Sequence, residues 1–220
     1  MPSSALYQFD WNLEDVQRLQ TAHGELSPDG KGRRGLGHIT RSGLVMLCAA
    51  WELYFEDLIK ESVDVIVAST SDPHGLPKDV KKKLAKEANA GPDDLSVLAL
   101  CNDGWGSVLK RAAEMEVARL NTPKSEQLGV LAQHYLGIDN ISSAWSIGPD
   151  GLNEIVTERG NIAHRGRDAK YISIDTLDWY KNRIHYTVLE TDDFVANHLK
   201  SISGLRKKPW RARSFPDAPL

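Results

Sequence analysis

The chain has only two cysteines, Cys48 and Cys101, in 220 residues. Two is too few for a disulfide framework or for a cysteine-based zinc centre. Cys48 lies in the apolar run Val45-Met46-Leu47-Cys48-Ala49-Ala50 and reads as a small buried residue. There is no signal-peptide pattern at the start and no apolar run long enough to span a bilayer, so the expectation is a reduced, cytoplasmic protein with no membrane partner. There is no excess of positive charge: a net charge of −3 rules out a molecule that is basic as a whole. Contact with nucleic acid must then come from local patches. No strand-length stretch alternates apolar and polar residues, which excludes a sheet-based fold. No internal repeat is present. The glycine-rich stretch 25–37, with Lys31, Arg33 and Arg34, is not closed by Gly-Lys-Ser or Gly-Lys-Thr, so it is not a phosphate-binding P-loop. It reads as a solvated basic linker, with contact to an RNA backbone as the sharper alternative.

What remains is helical periodicity in a chain of ordinary make-up, 41% hydrophobic and 26% charged. The length suits one domain, or one domain and a tail. A first helix is expected over 11–23, after a weakly specified segment 1–9. A long one follows over 38–70, where Leu44, Leu47, Cys48, Trp51, Phe55, Leu58, Ile59 and Ile66 keep a three-and-four spacing. A short lysine-rich helix occupies 78–89, and further helical patterns run over 94–101 and 103–119, with Asp93 and Asp94 placed to cap. Thr122 as cap, Pro123 as opening residue and Glu126 in the first turn start a helix that ends near 136. Residues 137–151 read as a loop. A helix carrying Arg159 and His164 comes next, then a last one over 174–201. The fold class is all-α, a bundle of about seven helices whose spine is formed by 38–70 and 174–201. The domain is drawn as 1–204. Residues 205–220 form a basic, flexible C-terminal tail, where five basic residues around Trp210 have the make-up of a nucleic-acid-binding arm or of a solubilising tail.

The chemistry concentrates in Glu158-Arg159-Gly160-Asn161-Ile162-Ala163-His164-Arg165-Gly166. Leu152, Ile155, Val156, Arg159, Ile162 and Ala163 follow helical spacing, so Arg159 falls inside an apolar stripe. A guanidinium there needs an anionic partner or a solvated cleft. Glu52, at the edge of the long helix's stripe, is the candidate partner. His164 lies about 140° around the helix from Arg159 and shares its side with Thr157 and Asn161. The two converge only if the arginine swings, if the helix is distorted at Gly160, or if a second chain completes the site. Taken on spacing alone, the stretch also fits an arginine in a structural ion pair beside a surface histidine.

An arginine, four intervening residues and a histidine resemble the signature of the HEPN superfamily, small helical domains that are often ribonucleases. The closer resemblance is to the RiboL-PSP-HEPN family. It is carried in order by Ala50-Trp51-Glu52-Leu53-Tyr54-Phe55-Glu56-Asp57, Asn102-Asp103-Gly104-Trp105, Asn121-Thr122-Pro123, Leu136-Gly137-Ile138 and the Arg159–Gly166 stretch. The resemblance implies a HEPN-type bundle, a homodimer with the two signature helices facing each other across a cleft, and RNA cleavage without metal or cofactor. It casts Arg159, His164 and Asn161 as catalytic, Glu52 as their support, and Arg165 and Arg167 as RNA-binding. One departure is Gly160, where many active members carry a polar residue; Asn161, one position later, is expected to serve instead. Two further readings stand beside the ribonuclease. One is a non-catalytic HEPN-type module that binds RNA or a protein. The other is a dimeric scaffold. RNA-targeting antiviral defence, a toxin–antitoxin pair with an antitoxin or other regulatory partner, and RNA processing or repair are roles that the family association suggests.

Overall fold

A computed structural model describes residues 1–27, 34–91, 93–121 and 123–213. Among these residues there are seven α-helices and no strand: α1 (Ser4–Leu26), α2 (Gly37–Ser69), α3 (Lys78–Asn89), α4 (Gly104–Val117), α5 (Ser125–Leu136), α6 (Gly148–Arg165) and α7 (Ile174–Ile202). Short 3-10 turns fill several of the connections.

The fold is organised on α2. Its stripe of Leu44, Leu47, Trp51, Phe55, Leu58, Ile59 and Ile66 is almost wholly buried, and α1, α4, α5, α6 and α7 all pack against it. At about 25 cal/mol per Å² of apolar surface removed from water, each such side chain contributes roughly 1.5–3 kcal/mol. Gly43 allows the closest approach: a Cβ there would lie 2.6 Å from Leu177 Cδ2 of α7. Tyr54 Oη then donates to the Val188 carbonyl (3.1 Å). The indole of Trp145 stands edge-on to Trp51 and its Nε1 donates to Thr191 Oγ1 (2.9 Å), bringing the loop before α6 onto α7.

The helices agree with expectation in number and order, and their ends show where local chemistry differs from periodicity. α1 begins at Ser4, well before residue 11. Ser3 Oγ accepts from Leu6 N–H (2.9 Å), and the Glu61 carboxylate accepts from the Ser4 and Ala5 N–H groups (both 3.1 Å). A hydroxyl cap and an anion at a helix N-terminus together start the helix early. Residues 94–100 form a 3-10 turn capped by Asp93 instead of an α-helix, and Leu95 and Leu98 face outward. α5 starts at Ser125, so Pro123 lies ahead of the helix instead of opening it; the expected cap Thr122 is outside the described residues. Ser125 N–H donates to Asn153 Oδ1, and Asn153 Nδ2 donates back to Ser125 Oγ (2.9 Å each), so α6 clamps the start of α5. The expected loop 137–151 holds a 3-10 turn, and α6 begins inside it at Gly148 with Pro149 in the first turn, a position where proline's missing N–H costs nothing.

The tail departs most from expectation. Trp210 is buried, and its Nε1 donates to the Asp192 carbonyl (3.0 Å). Arg211 N–H donates to the Met1 carbonyl (3.0 Å), Lys208 pairs with Asp193 (2.5 Å) and Arg213 pairs with Asp10. Through Arg213 this segment is therefore a strap across the α1 and α7 ends. Trp210 cannot serve as a base-stacking platform because its ring is in the core. The basic linker at 28–33 lies outside the described residues.

Candidate functional site

α6 is regular through Gly160, which removes helix distortion as a way to bring Arg159 and His164 together. Its buried side is Leu152, Ile155, Val156 and Ile162. Arg159 falls in the same sector by helical spacing and is half-buried. Burial pushes the Cys48 thiol up to about 12, while the Arg159 guanidinium pulls it down and the Glu52 carboxylate pushes it further up. Arg159 and Glu52 thus both lie within electrostatic reach of one sulfur, in the seam between α2 and α6. Glu52 is one turn beyond Cys48 on α2 and is half-buried too. The pKa of the Tyr180 phenol on α7 is raised chiefly by burial and then by Glu154, Glu158 and Cys48. An arginine in a dry ion pair would be fully buried; Arg159 is not.

His164, Arg165 and Arg167 are exposed, and Asn161 is half-buried. His164 and Arg165 occupy the last turn of α6, where positive charge offsets the partial negative charge of the helix C-terminus. Gly166 ends the helix with φ of 53°, a left-handed angle that glycine adopts without strain. The chain then turns through Arg167 and Asp168. Arg159 and Glu52 thus share the surroundings of Cys48, while His164, Arg165 and Arg167 are exposed at and just beyond the C-terminal end of α6. The Cβ position of Gly160 is open, with no atom within 4 Å. On α2, Met46, Ala49 and Leu53 are exposed.

Two of the other motifs, Leu136-Gly137-Ile138 and Asn102-Asp103-Gly104-Trp105, hold backbone turns. Gly137 has φ of 70° and closes α5 with the bonds Gly137 N–H to Gln133 O (3.1 Å) and Ile138 N–H to Ala132 O (3.2 Å); the first is the bond of a left-handed glycine cap. A Cβ there would lie 2.3 Å from Pro77 Cβ. Gly104 faces the Ala99 carbonyl oxygen, 2.2 Å from where a Cβ would be, and follows Asn102 at a left-handed φ of 52°.

A model of the RiboL-PSP-HEPN family matches residues 7–197, nearly the whole described domain. The chain belongs to the RiboL-PSP-HEPN family. No curated protein and no solved structure matches it. No described helix is long and apolar enough to cross a membrane. Among the described residues, no group of three or more His, Cys, Asp or Glu is placed to hold a metal ion.

Three residues near the site escaped the sequence reading. His38 and Arg41, in the first turns of α2, and Tyr171, before α7, line a groove that also includes Arg167. His38 and Arg41 precede the apolar stripe of α2 and looked like ordinary surface positions. Tyr171 sits in a connection with no periodicity. The one legible signal was Gly37: a Cβ there would meet Arg41 Nη1 at 3.0 Å and the Tyr171 ring at 3.3 Å.

Proposed function

We propose that this HEPN protein is an endoribonuclease that cuts RNA without a metal ion, with Arg159 and His164 as its catalytic pair. RNA carries its own nucleophile, so the enzyme needs only to move protons and stabilise charge on phosphorus. His164 takes the proton of the 2′-hydroxyl as that oxygen bonds to phosphorus. Arg159 donates its planar fork to the phosphorane oxygens. The bond from phosphorus to O5′ then breaks, and O5′ receives a proton from a second histidine. The products are a 2′,3′-cyclic phosphate and a 5′-hydroxyl. Glu52 orients Arg159 from α2, Asn161 holds the ribose or phosphate, and Arg165 and Arg167 supply positive potential at the cleft mouth.

The observation that carries this reading is the accessible His164 at the end of the helix whose half-buried Arg159 acts, like Glu52, on the buried Cys48 between α2 and α6. The separation of about 140° between them in one chain supports a homodimer in which one protomer's histidine faces its partner's arginine. The open Gly160 and the outward Met46, Ala49 and Leu53 supply small and apolar surface for that contact. Substituting Gly160→Leu would then dissociate the dimer in sedimentation while leaving the helical content unchanged. A role in RNA-targeting defence or RNA processing, inside the cell and under an antitoxin or other regulatory partner, is the setting proposed for such an activity.

A second reading is favoured by Gly160, which gives the signature no polar group beside its arginine: a module that binds RNA, or a protein, without cutting it. Incubating labelled single-stranded RNA with the wild-type protein in EDTA separates the two. Cyclic-phosphate ends support the nuclease, and a mobility shift with intact RNA supports the module.

A further inference from the structure

The start of α2 and the segment from Gly166 to Tyr171 enclose two adjoining open pockets of about 590 and 560 Å³. They share His38, Arg41 and Arg167. Among the described residues that line them there is no carboxylate, so on a chain of net charge −3 this is a local anion site. His38 Nδ1 is turned to the Gly35 carbonyl (3.1 Å), so Nδ1 carries the proton and Nε2 is the ring atom on the far side.

The groove also has an aromatic wall. Tyr171 is 42% exposed, yet its backbone is held firmly: Ile172 is buried, and its carbonyl accepts from Thr40 Oγ1 (2.7 Å). The absence of a side chain at Gly37 lets the Tyr171 ring and the Arg41 guanidinium both lie against the first turn of α2. The second pocket has an apolar floor of Val45, Met46 and Ile162. Cations that suit a phosphate, beside a fixed, half-exposed ring and an apolar floor, are what a nucleotide unit requires. An acidic peptide would use the cations and have no need of the ring.

Resting on the ribonuclease reading above, we propose that this groove is a subsite for one nucleotide of single-stranded RNA next to the cleaved one, with its phosphate on Arg41 and Arg167 and its base on Tyr171. Ile162 and Gly166 line the groove, whereas His164 is about 160° around α6 from Ile162. The bound strand therefore passes over the end of α6, between Arg165 and Arg167, and the groove lies apart from the reacting phosphate.

The test is fluorescence anisotropy with a labelled single-stranded RNA whose 2′-oxygens are methylated, so that binding is read without cleavage. Wild type is compared with Arg41→Gln, Tyr171→Leu and Tyr171→Phe, each checked by circular dichroism. Arg41→Gln and Tyr171→Leu are expected to raise Kd about 5- to 100-fold, the range for loss of a stacked base or a charged phosphate contact. Tyr171→Phe, which keeps the ring, should stay within about 2-fold. Equal Kd values for wild type, Arg41→Gln and Tyr171→Leu would overturn the subsite and leave the nuclease reading standing. Displacement of the RNA by polyglutamate as readily as by unlabelled RNA would also overturn it. Weaker binding in those variants, with no cleavage of unmodified RNA by wild type, would uphold the subsite and remove the nuclease reading. A wild type that binds no RNA would sink both.

Discussion

Asp192 gives a sharp test of the packing described here. It lies on α7 where the two ends of the domain meet: Ser3 Oγ donates to its Oδ1, and Trp210 Nε1 donates to its carbonyl. Its side chain is buried, and Oδ2 has no hydrogen-bond partner among the described residues. Burial pushes its pKa from 3.8 up to about 6; Ser3 pulls it back, and Glu61 and Asp193 push it further up. An acid that holds its proton more tightly when folded favours the folded state most strongly below its unfolded pKa. That advantage is lost as pH rises through the folded value. The full difference is worth about 3 kcal/mol, of which about 1.4 kcal/mol falls between roughly pH 5 and pH 7.5. His185 works the other way: burial holds its pKa below the ordinary value, so it removes stability as pH falls. For that reason the quantity to measure is the difference between wild type and Asp192→Asn, in which His185 cancels. Urea unfolding at the two pH values should show wild type losing about 1.4 kcal/mol more than the variant as pH rises. A difference that stays constant, or changes in the opposite direction, would refute the buried and protonatable Asp192.

Other expectations follow from the same contacts. Gly137→Ala must hold a left-handed backbone and place a methyl against Pro77, so it should destabilise the protein by more than about 1–2 kcal/mol in the same urea assay. Gly160→Ala sits in open space inside α6 and should stabilise the monomer fold by about 0.5–1 kcal/mol; a loss of stability would show a contact at that position. Trp210→Ala removes the buried anchor of the C-terminal strap. Limited trypsin digestion should then cut at Arg206, Lys207 or Arg211 much faster than in wild type, with the rest of the domain intact. Equal rates would mean that the strap is held by its ion pairs instead.

The spine of this fold was legible because α2 and α7 bury long, uninterrupted stripes, and periodicity alone identifies such helices. The shorter features depended on single side chains with distant partners. Nothing local announces that Glu61 caps α1, or that Asn153 clamps α5 from α6. The basic tail misled for a related reason: composition records five cations and a tryptophan, but not that Asp10, Asp193 and a core slot await them. At the candidate site, Arg159 and Glu52 stood out in the sequence because one falls inside an apolar stripe and the other at the edge of one. The groove of His38, Arg41 and Tyr171 could not, since its residues come from two separate segments and only the missing side chain of Gly37 joins them.

The most direct test of the central claim is cleavage of labelled single-stranded RNA and tRNA in EDTA, by wild type beside His164→Ala. Wild type should leave 2′,3′-cyclic phosphate and 5′-hydroxyl ends, and His164→Ala should leave the RNA intact while keeping its helicity and its dimer. Undiminished cleavage by His164→Ala, or intact RNA with both proteins, would contradict the role given to His164 at the end of α6.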